Sequence, residues 1–195
     1  MALPELAISR LGGDVAVDFF NTVAWRLDPA RRCEHLTSYL HVLAWIRQRQ
    51  LLTQDQADTL EALADARGDD AAQELAAILA LRDGTYAALN GERGFDALER
   101  ETTSAHAASR LVPGSDGAWH WSPVQTDLAT PRHLLTLEFE RLVTSGSIAR
   151  FHRCEDRHCG WVFLDTSRQH NRRWCSSADC GNRNRVRAHY ARAKA

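Results

Sequence analysis

Four cysteines in the last third of the chain carry its clearest chemistry. They read Cys154-x4-Cys159, then fifteen residues, then Cys175-x4-Cys180. Two close pairs separated by a hairpin-length insert supply four thiolates, the tetrahedral donor set that zinc takes in structural sites. An all-cysteine set closes the metal's shell and leaves no position for a substrate water. One structural Zn2+ is therefore the expected cofactor, and its binding energy becomes folding energy for a segment too small to have its own core. Cys33 stands far upstream and reads as a small buried side chain or an ordinary thiol. His152, His158 and His170 lie near enough to replace a ligand, but four cysteines suffice. No P-loop, GxSxG or HExxH occurs elsewhere, so the chain is not expected to be an enzyme.

The elements around the cysteines follow from their neighbours. Gly160 directly after Cys159 suits a tight metal-binding turn. Trp161-Val-Phe-Leu-Asp165 is β-prone, Thr166–Gln169 can turn the chain, and Asn171–Trp174 is expected to return as the second strand of a hairpin. Ser176 with Asp179 three residues on has the pattern of a helix start. A helix from about Ala178 to Ala193 completes a treble-clef-like arrangement. Projected at about 100° per residue with Cys180 facing the metal, Arg183, Val186 and Tyr190 fall on the metal side. Asn182, Arg185, His189 and Arg192 fall opposite. Arg183 is thus expected to be partly buried and hydrogen-bonded. Arg185 and Arg192, with Arg187 at the edge and Arg172 and Arg173 on the hairpin, are expected to meet solvent or phosphate.

Charge supports that division. From residue 150 onward there are eleven basic and four acidic residues, a net +7, which leaves −8 for the preceding 149. An acidic body with a basic appendage points to a polyanionic partner for the appendage. At 195 residues, 44% of them hydrophobic, the chain can bury a real core as one domain with a small addition. No apolar run approaches a membrane span, and the opening Met1-Ala-Leu-Pro-Glu-Leu lacks a secretory pattern, so a cytoplasmic protein is expected.

The body reads as mostly helical. Gly13–Asp18 alternates weakly, like a short strand leading into a helix or turn. Leu36–Leu52 has helical spacing, and Thr53 with Gln56 forms a capping box for a helix that should stop at Gly68. A further helix is expected from Asp70 to Asn90, another near Phe95–Thr103, and one after Thr130-Pro131 that runs to Ser145. Ser109–Val112 and Ala118–Ser122 flank Pro113–Gly117 as a β-hairpin. Trp25, Trp45, Trp119 and Trp121 are expected to pack in the core. His106, His120 and His133 are scattered and read as structural or exposed. The fold class is mainly α (α+β): a helical domain over residues 1–148 with a few short strands, then a four-cysteine zinc finger of hairpin and helix over residues 149–195.

The string Trp174-Cys-Ser-Ser-Ala-Asp-Cys180-Gly181-Asn182-Arg183 resembles the CGNR zinc-finger family. Phe163-x-Asp165-x-Ser167 and Arg172-Arg173-Trp174 look like the same family's hairpin. Asp18-Phe19-x-Asn21-Thr22 is similar to the opening of the domain that precedes this finger, called ABATE and described as a stress-induced transcription regulator. The resemblance implies that Cys154, Cys159, Cys175 and Cys180 hold zinc. It places Gly181, Asn182 and Arg183 on the family's motif, and it implies a DNA-binding regulator. The helical domain could then hold a small-molecule effector or a dimer interface. The alternative is a zinc-stabilised protein-interaction or RNA-binding module. Phosphate contacts would dominate affinity, and a single short helix reads few bases, so specificity would call for a homodimer presenting two fingers.

Overall fold

A computed structural model describes residues 3–4, 6–114 and 117–193. The helices in chain order are α1 (Val15–Phe20), α2 (Tyr39–Gln48), α3 (Gln54–Ala66), α4 (Gly68–Leu89), α5 (Asp96–Ala107), α6 (Thr130–Thr144) and α7 (Asn182–Ala193). The strands are β1 (Val23–Ala24), β2 (Cys33–Glu34), β3 (Ser109–Pro113), β4 (Trp119–Pro123), β5 (Phe151–Arg153) and β6 (Val162–Leu164). They pair antiparallel as three two-stranded ribbons: β1 with β2, β3 with β4 and β5 with β6.

The chain forms two compact units, and no single cut separates them. One is built mainly from Leu36–Thr144; the other joins residues 8–35 to the segment that starts at Ser145. Among the described residues, no helix is long and apolar enough to cross a membrane.

The first unit is a helical assembly. Val42, Leu43, Trp45 and Ile46 of α2, Leu60 of α3, Ile78 of α4, and Leu135 and Phe139 of α6 are fully buried in it. Ser38 caps α2 by accepting from the His41 amide. The Thr53–Gln56 capping box starts α3, as the sequence predicts. Gly68 does not end the helical stretch. Arg67 closes α3 through its amide to Leu63, and α4 starts at Gly68 itself, so the glycine marks a bend between two helices. Gly84 lies mid-helix because a Cβ there would stand 3.1 Å from Ala97 of α5. Arg132 of α6 ties three helices by pairing with Glu74 of α4 and Glu101 of α5.

β3 and β4 form the expected hairpin, with Leu111 opposite Trp121 and Pro113 opposite Trp119. Ser115 and Asp116 of its turn lie outside the described residues. The tryptophans do not share one fate: Trp45 is fully buried, whereas Trp119 and Trp121 are exposed.

In the second unit, Gly13–Asp18 departs from the expected short strand. Asp14 accepts from the Ala16 amide and starts α1, whose residues Ala16–Phe20 are buried. Val15 and Val17 therefore belong to a helix, and a local cap overrides weak alternation.

Candidate metal centre

The four predicted cysteines converge. Cys154, Cys159, Cys175 and Cys180 are all buried, and their sulfurs lie within 4.8 Å of one another. Cys159 Sγ is 3.7 Å from Cys175 Sγ, which is 3.5 Å from Cys180 Sγ. Zinc–sulfur bonds of about 2.3 Å in a tetrahedron put sulfurs about 3.8 Å apart, so the donor set fits one structural zinc. None of the three nearby histidines joins the set, and Cys33 is an exposed thiol away from it. Thiols this close cannot titrate independently. Hydrogen bonds from Cys159, then Cys175 and Cys180, hold Cys154 below the ordinary thiol range, and its contact with Cys154 pushes Cys159 above it.

The expected hairpin forms from other strands. β6 pairs with β5, the segment just before Cys154, and not with Asn171–Trp174. The first cysteine pair therefore sits in the turn of the β5–β6 hairpin. That turn is closed by the Cys154 amide to Trp161 and the Cys159 amide to Asp156. Gly160 has φ +73°, and a Cβ there would stand 2.8 Å from Arg26 Cβ, so only glycine fits. Asn171–Trp174 keeps one backbone bond of this kind, from the Glu155 amide to Arg173 O. Its path is set by Asp165, which accepts from the Ser167 and Arg172 amides at 2.8 and 2.9 Å. The Ser167 hydrogen bonds lead in holding the Asp165 carboxyl down to about 2. Trp161 and Trp174 pack against the cysteines, partly buried.

Of the second pair, Cys175 lies just before a wide helical turn over Ser177–Gly181, and Cys180 lies within it. Ser176 Oγ accepts from the Asp179 amide, and the Gly181 amide reaches back to Ser176 O. α7 continues from this turn. Its inward side is polar: Arg183 donates to Cys180 Sγ at 2.9 Å and to Asp156 at 3.3 Å, and its guanidinium stacks 4.6 Å from the Trp25 ring. Asn184 and Arg187 donate to the same Asp156 oxygen at 3.0 and 3.4 Å. Val186 and Tyr190, projected onto the metal side, are exposed instead. Asp156 draws the Arg183–Asn184–Arg187 stripe inward and turns the apolar pair out.

Asp156 is the residue that motif reading missed. It is completely buried between the first two cysteines. Burial alone would raise its pKa, but the His158 amide and the charges of Arg183 and Arg187 outweigh this and hold it below the ordinary carboxylate range. The available signal was the acidic pair Glu155-Asp156 inside a knuckle in an otherwise basic segment.

The remaining predicted residues separate. Arg172 is partly buried and gives its guanidinium to the carbonyls of Leu11, Trp174 and Cys175, above the Phe163 ring. Arg173 is exposed and paired with Glu155. Arg185 is exposed and reaches Ser177 O, while Arg192 lies exposed near the end of α7. Gly181 is buried with a Cβ position 3.0 Å from Trp174, and Asn182 opens α7.

Residues 8–35 complete this unit. Asn21 acts as a peptide group turned sideways: its Nδ2 donates to Val162 O and its Oδ1 accepts from Val162 N, both at 2.9 Å. The Leu164 amide donates to Gly12 O, Trp161 Nε1 to Val23 O, and the Arg26 amide to Cys159 O. Trp25, with φ 52°, holds a strained left-handed backbone where its ring meets Arg31 and Arg183.

A four-cysteine centre, with one pair in a knuckle, the second flanking and entering a helical turn, and a helix following, defines a zinc-finger protein. Residues 150–193 match the family model of the CGNR zinc finger. Residues 13–149 match ABATE, whose description reads "Putative stress-induced transcription regulator". The chain belongs to the ABATE family and carries a CGNR zinc finger after that domain. No curated protein matches it. The family boundary at 149/150 differs from the division into compact units, because residues 13–35 of the ABATE match pack with the finger.

Proposed function

We propose that the chain is a zinc-dependent transcription regulator whose finger binds DNA through α7. The carrying observation is α7 itself, which has four arginines and no acidic residue, with Arg185 and Arg192 exposed. Guanidinium groups match phosphate oxygens with forked donors. Arg185 and Arg192 are the primary phosphate contacts in this reading, with Arg173 and Arg187 flanking them. Arg172 is a scaffold residue, since its donors already serve backbone carbonyls. The description of the ABATE family supports a regulatory role, and a cytoplasmic site of action goes with it. The metal's part is to hold the knuckle and helix together, and no catalytic step is assigned.

Fluorescence anisotropy on duplex DNA tests this. Affinity should fall steeply with salt, with a log–log slope of about −0.9 per phosphate contact. Replacing both Arg185 and Arg192 with Ala should weaken binding about tenfold or more and reduce that slope by about 2. Binding that ignores both salt and the double substitution would sink the proposal. One observation favours a second reading, a protein- or RNA-binding finger: Tyr190 and Val186 lie exposed on the same helix. Capture of a partner that resists nuclease and is lost with Tyr190→Ser would move that reading ahead.

A further inference from the structure

The β3–β4 hairpin carries an apolar face that the reading above does not use. Cross-strand pairing sets Leu111 opposite Trp121 and Pro113 opposite Trp119, so all four side chains share one face. Leu111 is 51% exposed, Trp119 67% and Trp121 38%. At its base the Trp121 ring lies edge-on to His106 of α5, 4.7 Å between centroids, so the hairpin is anchored there and not loose. None of these four residues is charged. Together they present roughly 400 Å² of apolar surface, within the range of the largest patch on a monomer, which is often a functional one.

We propose that this face is the docking surface for a second copy of the chain, giving a two-fold dimer. A two-fold interface sets the same patch against itself, so it must be self-complementary. An uncharged, tryptophan-rich face carries nothing that repels its own copy, and large aromatic side chains dominate the energetics of such interfaces. Two copies would bury roughly 800 Å² of apolar surface, about 1,000 Å² with a polar margin, which is the lower bound for a specific interface. Docking is by the face and not by strand addition. Pro113 and Pro123 each remove a backbone donor from the ribbon, as edge-protected strands do. The use of the dimer, presenting two α7 helices to one duplex, rests on the DNA-binding reading; the dimer itself does not.

The test is sedimentation equilibrium of the full zinc-loaded chain without DNA. The wild type should pass from its 21.9 kDa monomer to twice that mass with a micromolar dissociation constant, roughly 1–50 µM. The double variant Leu111→Ser, Trp119→Ser should weaken dimerisation about 100-fold or more. Its circular dichroism and zinc content should stay unchanged, because both side chains are exposed. A wild type that stays monomeric at about 100 µM overturns the proposal. So does a correctly folded variant that dimerises as tightly as wild type. DNA binding, measured separately on both proteins, tells the two readings apart: a dimer that ignores DNA removes only the functional reading, and a monomer that binds DNA removes only this one.

Discussion

Asp156 shows how one carboxylate can set the direction of a helix. It sits within the metal knuckle, yet three of its partners lie on α7. Replacing it with Ala should remove these charge-assisted bonds and destabilise the zinc-loaded protein by about 2–3 kcal/mol, read as a lowered urea midpoint. Zinc stoichiometry should hold, since all four sulfurs remain. Gly160→Ala should cost about 1–3 kcal/mol in the same measurement, because it forces a left-handed residue against Arg26. The cysteines were legible because metal chemistry demands particular residue types at short spacings. Asp156 was not, because it and its neighbour Glu155 have the same appearance in sequence, although Asp156 is buried and Glu155 is exposed. Arg172 was misleading for the converse reason, since an arginine's stem and fork serve backbone carbonyls as readily as phosphate.

At the scale of elements, local signals were read well and pairings less so. The capping box at Thr53 marks α3 because it is a bond between residues three apart. Thr53→Ala should lower stability by about 1 kcal/mol in thermal unfolding. The β5–β6 ribbon escaped prediction because β5 has only three residues and its partner is chosen by the knuckle between them. α1 escaped because six residues are too few for periodicity to declare itself. On α6, burial, and secondarily the Arg132 charge, lower the pKa of His133 below its ordinary 6.5. The unfolded chain therefore binds this proton more readily than the folded one. Stability from this group is present above pH 6.5 and is lost as pH falls through the lowered folded value. Denaturant midpoints should decline from about pH 7.5 to about 5.5, and His133→Gln should flatten that decline.

For the whole molecule, the mainly helical class and the finger were legible in the sequence, but the way the chain is shared between two units was not. Residues 8–35 showed only a short motif, and nothing in their spacing says that Asn21 will bond to Val162, 141 residues away. Removal of zinc should therefore expose more than the finger. Hydrogen exchange after chelation should speed up in α1 and around Val23 as well as in β5, β6 and α7, while α2–α6 keep their protection. Exchange that rises only after residue 145 would contradict this. The sideways amide of Asn21 also sets a timetable during synthesis. At about 5–20 residues per second, the ribosome needs on the order of ten seconds to make the strand that Asn21 must meet. Through that interval the helical unit can form from its own residues, while the segment before it waits without its partner. Zinc capture is then a late event in the folding of this unit, the step that joins a segment made early to one made 141 residues later.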